Sequence, residues 1–388
     1  MFERWIALDA NKSTLLTGPR RCGKTTLLKH CYPDFAYATL DDLDLLDWAR
    51  RDGKGLIQSL GNRVILDEIQ RHPPLTVAVK YAIDKGNAHF LMTGSSTIGL
   101  LDAGADSLAG RINIRSLPTA CWGENRGLPT HRIFEDAVPF PQLREAERLL
   151  PDAIRFGQFP EILTADSPEK KQELLKNYRD TYFTRDLMQL TNIENLDGLM
   201  ALYLNVIRSI GSSLEVSNLA REAGISFVTA KKYLNSLLQS QLTFRLAGYQ
   251  YGPAKRYTKA AKTYLADMGI AQGFRARLSD GQAMENFVIA ELEKRRKLGF
   301  IPADRLYHYR SAGGREVDVV FETDKFLTAI EIKCTKKPSR RDTRNLEDFA
   351  AGVNAEKAVR CFLFYSGLEY QEIGNVNLLP IAALYRGK

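Results

Sequence analysis

The sequence predicts an α/β protein: a parallel sheet in the first third, a helical middle, and a second α/β unit at the end. Three observations carry that expectation. Gly18-Pro19-Arg20-Arg21-Cys22-Gly23-Lys24-Thr25 fits the G-x-x-x-x-G-K-[ST] phosphate loop, set between a buried strand at Ser13–Thr17 and a helix opening at Thr26–Lys29. Arg63–Gln70 is an apolar strand that closes on Asp67 and Glu68. Far downstream, Glu316-Val317-Asp318 and Glu331-Ile332-Lys333 put acids and a lysine on neighbouring strands.

The loop comes first. Phosphates need donors all round them without side chains in the way. Glycines at both ends let backbone N–H groups curl inward, and a helix N-terminus adds its positive dipole end. Gly18, Pro19, Arg20, Arg21, Cys22, Gly23 and Thr26 supply the backbone cradle. Lys24 is placed to reach the β- and γ-phosphates, and the Thr25 hydroxyl to hold Mg²⁺. Asp67 would hold that ion through water, while Glu68 polarises the water that attacks the γ-phosphate.

Phe35–Leu40 and Ala88–Thr93 read as further strands, with a helix around Leu75–Ile83 between them. Thr93 or Ser95, at a strand tip, could feel the γ-phosphate, although small residues there are also ordinary turn chemistry. Arg111 precedes the strand Ile112–Arg115. It could reach a neighbouring subunit's γ-phosphate, or be a plain surface arginine.

Residues 131 to 192 look mainly helical, with Leu143–Leu150 and Glu169–Leu190 separated by Gly157-Gln158-Phe159-Pro160-Glu161; a lid beside the nucleotide is expected. Val216–Ser226 reads as a short helix and a glycine turn. Phe227–Leu238 reads as a second helix, with Val228, Leu234, Leu237 and Leu238 inward and Lys231 and Lys232 outward. That is helix-turn-helix spacing, and the alternation in Leu242–Leu246 suggests the wing of a winged helix. Such a unit docks on DNA or packs between domains.

In the last part, Asp318 and Glu331 are candidate oxygen ligands for Mg²⁺, with Glu285 on an upstream helix as a third carboxylate. Lys333 would stabilise developing charge or help deprotonate a metal-bound water. D-x₁₂-E-x-K outlines the PD-(D/E)xK nuclease signature, with Val317 where the pattern has proline. Charged residues alternate on ordinary strand faces too, so a structural salt bridge is the rival reading. Lys336, Lys337, Arg340, Arg341 and Arg344 follow, where phosphate contacts would be useful.

Composition sets the bounds. The 388 residues carry a net charge of +8. From Pro253 onward there are 24 Lys/Arg against 17 Asp/Glu, an excess that suits a polyanion such as nucleic acid or a merely solvated surface. Five scattered cysteines without C-x-x-C spacing argue against a disulfide framework and a zinc site. No apolar run has membrane-spanning length, and Met1–Ile6 does not look like a signal peptide, so cytoplasmic residence is the expectation.

Taken together, Gly18–Thr25, Leu66–Gln70 with Pro73, Leu91–Ser96 and Ala109-Gly110-Arg111 resemble a group of bacterial and archaeal AAA+ ATPases. The likeness continues through Phe159–Glu161, Arg185-Asp186, Tyr264–Gly269, Glu285-Asn286, Asp318 and Glu331–Lys333, and so covers nearly the whole chain. The resemblance implies ATP rather than GTP, an additional-strand sheet with a helical lid, a winged helix and a restriction-endonuclease-like domain. It also implies phosphate and Mg²⁺ binding by Lys24 and Thr25, Glu68 as the hydrolytic acid, Arg111 as an arginine finger and a homo-oligomer. Gln158 departs from it, standing where many relatives have a second glycine. Expected domains are 1–130, 131–195, 196–252 and 253–388, with DNA as the favoured partner.

Overall fold

The computed structural model describes residues 2–9, 11–86, 88–95, 110–182, 195–250, 261–311, 313–353 and 357–388. Ser96, Ala109, Arg185 and Asp186, which contribute to the resemblance, lie outside the described residues.

A five-stranded parallel sheet forms first, in the order β2-β3-β4-β1-β5. Its strands are β1 (Thr14–Thr17), β2 (Ala36–Thr39), β3 (Arg63–Asp67), β4 (His89–Gly94) and β5 (Asn113–Ser116). All run in one direction, so every C-terminal end meets one edge, where ligands of open α/β sheets bind. β4 stands between β1, which feeds the phosphate loop, and β3, which ends at Asp67. That inserted strand is the additional-strand arrangement the resemblance implied. Helix α1 (Lys24–Cys31) follows the loop, and α2 (Leu43–Leu60) and α3 (Leu75–Asp84) cover the sheet. Apolar side chains fill both faces, with Val64, Leu66, Phe90 and Met92 on one and Leu16, Ile65 and Leu91 on the other. Alternate strand residues point to opposite faces, and both faces are covered.

Helix α4 (Phe140–Phe156), within the expected lid, packs Leu143, Ala146, Leu150 and Ala153 into a core shared with the C-terminal unit. The short α5 (Pro160–Leu163) and α6 (Pro168–Thr181) pack with α7 (Leu196–Arg208), α8 (Val216–Glu222) and α9 (Phe227–Gln239) in a separate core. On α9 the buried face is Ala230, Tyr233, Leu234 and Leu237, the i, i+3, i+4, i+7 stripe of a helix. Val228 lies off that stripe and is 76% exposed, which corrects the expectation that it points inward. Lys231 and Lys232 are exposed, as expected.

Strand β6 (Thr243–Gly248) pairs antiparallel with β7 (Lys262–Leu265), and Ser213, between α7 and α8, bridges to Lys262. This hairpin does not stand alone. β6 also runs beside β8 (Tyr307–Arg310), joining one eight-stranded sheet of order β12-β13-β11-β10-β9-β8-β6-β7.

Beyond the small helix α10 (Met268–Gly273), the final part runs α11 (Asp280–Leu298), β8, β9 (Glu316–Glu322), β10 (Phe326–Lys333), α12 (Arg340–Gly352), β11 (Ala358–Tyr365). β8, β9 and β10 form an antiparallel meander, and β11 lies parallel to β10. β12 (Gln371–Ile373) and β13 (Val376–Pro380) complete the edge. The chain end returns to the first half, with Arg386 N donating to Trp122 O and Lys388 N to His131 O.

Candidate functional site

The phosphate loop closes tightly. A Cβ on Gly18 would lie 2.1 Å from the Leu117 carbonyl oxygen, so no other residue fits there. Arg21 adopts the left-handed region (φ 61°), where a side chain is strained. Lys24 is buried, and its Nζ donates to Gly18 O at 2.9 Å and Pro19 O at 3.1 Å. Its third neighbour, Cys22 Sγ at 4.0 Å, also belongs to the loop, and an ammonium held by atoms of its own loop can exchange them for phosphate oxygens. Beneath the loop, Arg4 donates to Cys22 O and Pro118 O and pairs with Glu124.

Asp67 collects three hydroxyl donors. Thr25 Oγ1 donates to its Oδ1 at 2.7 Å, Thr93 Oγ1 donates to the same oxygen, and Tyr37 Oη donates to Oδ2 at 2.9 Å. Burial, then the bond to Asp67, pushes the Tyr37 phenol up to about 12. Strand register makes this meeting possible, since Thr39 pairs with Asp67 and Leu66 with Met92. A hydroxyl and a carboxylate so juxtaposed are hard oxygen donors that suit Mg²⁺.

Glu68 follows in the left-handed region at φ 57° and ψ 42°, a conformation that costs of order 1–3 kcal/mol in a non-glycine residue. Its backbone N–H donates to Thr93 Oγ1 at 3.2 Å. Its carboxylate Oε2 accepts from Ser95 Oγ at 3.2 Å and from Gln70 Nε2. Thr93 therefore fixes the backbone around the acids, while Ser95 touches the carboxylate of Glu68. Sequence reasoning had not singled out Gln70 or Tyr37. Arg111, which precedes β5, is held by Asp84 at 2.6 Å. Over the loop, Glu161 of α5 lies 3.4 Å from Arg21, and Pro160 would meet a Cβ on Gly23 at 3.8 Å.

A second group of charges forms where α11, β7, β9 and β10 converge. The β9–β10 register pairs Ile330 with Val319; continued by one residue it sets Glu331 opposite Asp318. Asp318 Oδ2 accepts from Ile332 N at 2.8 Å. Lys333 Nζ donates to Glu331 Oε1 at 2.6 Å, whereas Glu331 Oε2 is buried without a hydrogen-bond partner. Burial and the nearby Asp318 push Glu331 up to about 8 and Glu285 up to about 7. Burial also raises Asp318. Lys333 is held up, against the pull of burial, by Glu331. Tyr264 Oη donates to Glu285 Oε1 at 2.8 Å, and buried Lys262 pairs with Glu316 at 3.3 Å. Among the described residues no three acid, His or Cys side chains are placed to hold a metal. The expected three-carboxylate set is therefore not brought together among the described residues; Glu285 instead accepts from Tyr264 while lying near enough to Asp318 to be raised by it. Asp318 and Glu331 alone fit a hard cation, Glu331 through its unpartnered oxygen.

A buried ionic network joins the two regions. Asp267 accepts from Thr119 Oγ1 at 2.6 Å, from the Gln158 N–H at 3.0 Å and from Lys294 Nζ at 3.3 Å. A Cβ on Gly157 would fall 1.8 Å from Asp267 Oδ1. Glu291 binds Lys294 and Arg295 and accepts from Trp122 N at 2.8 Å. Despite burial, those two cations hold Glu291 below the usual carboxylate range. None of this was legible in the sequence, because the partners lie up to 169 residues apart.

With the geometry in place, the family comparisons divide the chain. Residues 10–125 match the model of an AAA domain. This unit is similar to AAA domains. Residues 147–280 match a domain of unknown function (DUF8612), and residues 280–384 match another (DUF4143). The chain is similar to the uncharacterized protein Rv2008c of Mycobacterium tuberculosis, 27% identical over 345 residues, which cover 86% of this chain and 73% of that protein. It is also similar to MJ1544 of Methanocaldococcus jannaschii, 28% identical over 387 residues, covering 95% and 85%. Among solved structures, the Walker-type ATPase PABY2304 of Pyrococcus abyssi aligns with 68% of this chain and 91% of its own, at 16% identity and a TM-score of 0.37. No helix among the described residues is long and apolar enough to cross a membrane.

Proposed function

We propose that the chain binds and hydrolyses ATP with Mg²⁺ at Gly18–Thr25, Asp67 and Glu68, and that it acts on DNA through its C-terminal half. The observation that carries this reading is the joint anchoring of Thr25 and Asp67 at 2.7 Å beside Glu68. Lys24 and the loop amides would take the β- and γ-phosphates, with Arg20, Cys22 and Thr26 completing the cradle. Thr25 and Asp67 would hold Mg²⁺, which when bound neutralises phosphate charge. Glu68 would accept a proton from the attacking water as the bond between the β–γ bridging oxygen and the γ-phosphorus breaks and ADP leaves with the electron pair. Arg111 would serve a neighbouring copy in a homo-oligomer once released from Asp84.

For the remainder, we read residues 1–130 as the ATPase core, 131–195 as lid, 196–252 as a winged helix and 253–388 as a PD-(D/E)xK-like domain. The three helices α7–α9 followed by β6 support the winged helix, whose wing pairs with β7 just inside the next stretch and whose Ser213 bridges to Lys262 there. The α-β-β-β-α-β order from α11 to β11, with Asp318, Glu331 and Lys333 on adjacent strands, supports the nuclease-like domain. Glu285, held by Tyr264, favours a second reading in which that domain grips nucleic acid without cutting it.

The test is phosphate release with and without branched, single-stranded and duplex DNA. Glu68→Gln should retain ATP binding and lose turnover; phosphate release unchanged in that variant removes the hydrolysis reading. Mn²⁺-dependent cleavage lost in Lys333→Ala selects the nuclease; DNA binding without cleavage selects the second reading.

A further inference from the structure

We infer that Gln70 is a positioning residue for hydrolysis: its amide nitrogen fixes Glu68 while its carbonyl oxygen orients the attacking water. This rests on the ATPase reading above and adds to it a residue outside the phosphate loop and the acid pair.

The geometry starts from the short 3₁₀ turn Ile69–Arg71, which follows Glu68 directly. The turn folds the Gln70 side chain back beside the acid two residues earlier. Gln70 is 7% exposed, and its Nε2 donates to Glu68 Oε2 and to Ser95 Oγ at 3.0 Å. Ser95 Oγ donates to the same Glu68 oxygen, so the three side chains form a closed triangle. That triangle assigns the amide. Turned over, Gln70 would set its carbonyl oxygen against a carboxylate oxygen, acceptor against acceptor.

The assignment leaves Gln70 Oε1 buried and without a donor. A buried polar atom so placed is costly when nothing satisfies it. A structural glutamine that merely filled space would not need to bear that cost. That oxygen is sealed from solvent here, so the water it takes enters with the nucleotide; because the oxygen belongs to the same planar amide that grips Glu68, that water also stands beside the acid. Both donors to Glu68 fall on Oε2 and leave Oε1 to take the proton. One amide thus sets the base and the nucleophile relative to each other; the water's oxygen bonds to the γ-phosphorus, its proton passes to Glu68 Oε1, and the bond to the β–γ bridging oxygen breaks, with its electron pair leaving on ADP.

Steady-state kinetics on Gln70→Ala and on Gln70→Met, which keeps the volume but makes no hydrogen bond, test this. A misplaced nucleophile costs about 100-fold in rate. Both variants should therefore lose 10- to 100-fold in kcat, with KM for ATP and the ATP-induced rise in melting temperature unchanged. Combined with Glu68→Gln, neither change should slow further the residual phosphate release measured at high enzyme concentration, because both act on one water. A kcat within twofold of wild type in a folded Gln70→Met overturns the inference while leaving the ATPase reading intact. So does a rise in KM at constant kcat, or full additivity with Glu68→Gln. Wild-type protein without Glu68-dependent turnover overturns both.

Discussion

Replacing Glu331 by glutamine should stabilise the protein increasingly as pH rises, and the size of the effect follows from the acid cluster. The Glu331 carboxyl lies buried beside Asp318, and those two causes lift it from an ordinary 4.5 to about 8. An acid raised in the fold adds no penalty below the unfolded value, where both states hold the proton. Between 4.5 and 8 the unfolded chain ionises while the fold retains its proton, so stability is lost as pH climbs and levels off above 8. From pH 5 to pH 8 the loss is on the order of 3–4 kcal/mol at 1.36 kcal/mol per pKa unit. Glutamine does not titrate, so the difference between wild type and Glu331→Gln isolates this group from every other ionisation. The assay is urea unfolding at both pH values. Trp122, packed against Phe287 and Tyr385 in the C-terminal core, supplies the fluorescence signal. A gap between the proteins that stays constant from pH 5 to pH 8, or that grows in favour of wild type, refutes the reasoning.

Other outcomes follow from the same geometry. Gly18→Ala sets a Cβ against the Leu117 carbonyl; it should cost about 1–3 kcal/mol and abolish the rise in melting temperature on adding MgATP. Asp267→Ala takes one of two carboxylate partners from Lys294, which keeps Glu291, and leaves the Gln158 and Gly269 amides without that acceptor. It should destabilise by about 1–3 kcal/mol in chemical denaturation, and a loss under 0.5 kcal/mol, roughly the scale of a neutral surface change, would deny the network its structural part. Lys231→Ala with Lys232→Ala should weaken DNA binding across sequences and lower the salt slope by about 2, as read by anisotropy titrations at several salt concentrations.

Much of the nucleotide region was legible because its signals are local. The glycines, Lys24 and Thr25 sit in one octet, and the apolar strand before Asp67 announces its own burial. Periodicity also gave α9, yet it missed the phase of Val228, since one apolar residue near a helix start fits either face. Helix α2 went unseen: Asp42 caps it, but Gly53 and Gly55 interrupt the pattern and Asp52 leaves helical geometry in its middle. Long-range pairings left no trace in the sequence. Nothing around Arg4 announces Glu124, and nothing around Asp267 announces Gln158 or Lys294. Likewise, the alternation at Leu242–Leu246 marks a strand but cannot say that β6 joins the sheet of the C-terminal unit. Glu285 shows the same limit, because its helix was read correctly while its partner, Tyr264, comes from a different element.

The central claim is that the amino-terminal cradle takes up a triphosphate with Mg²⁺. Isothermal titration calorimetry of MgATP against the wild-type chain and Lys24→Met tests it most directly. A saturable heat with one site per chain in the wild type, lost in the variant, is the predicted result. No heat in the wild type, or equal heat in both proteins, would contradict it.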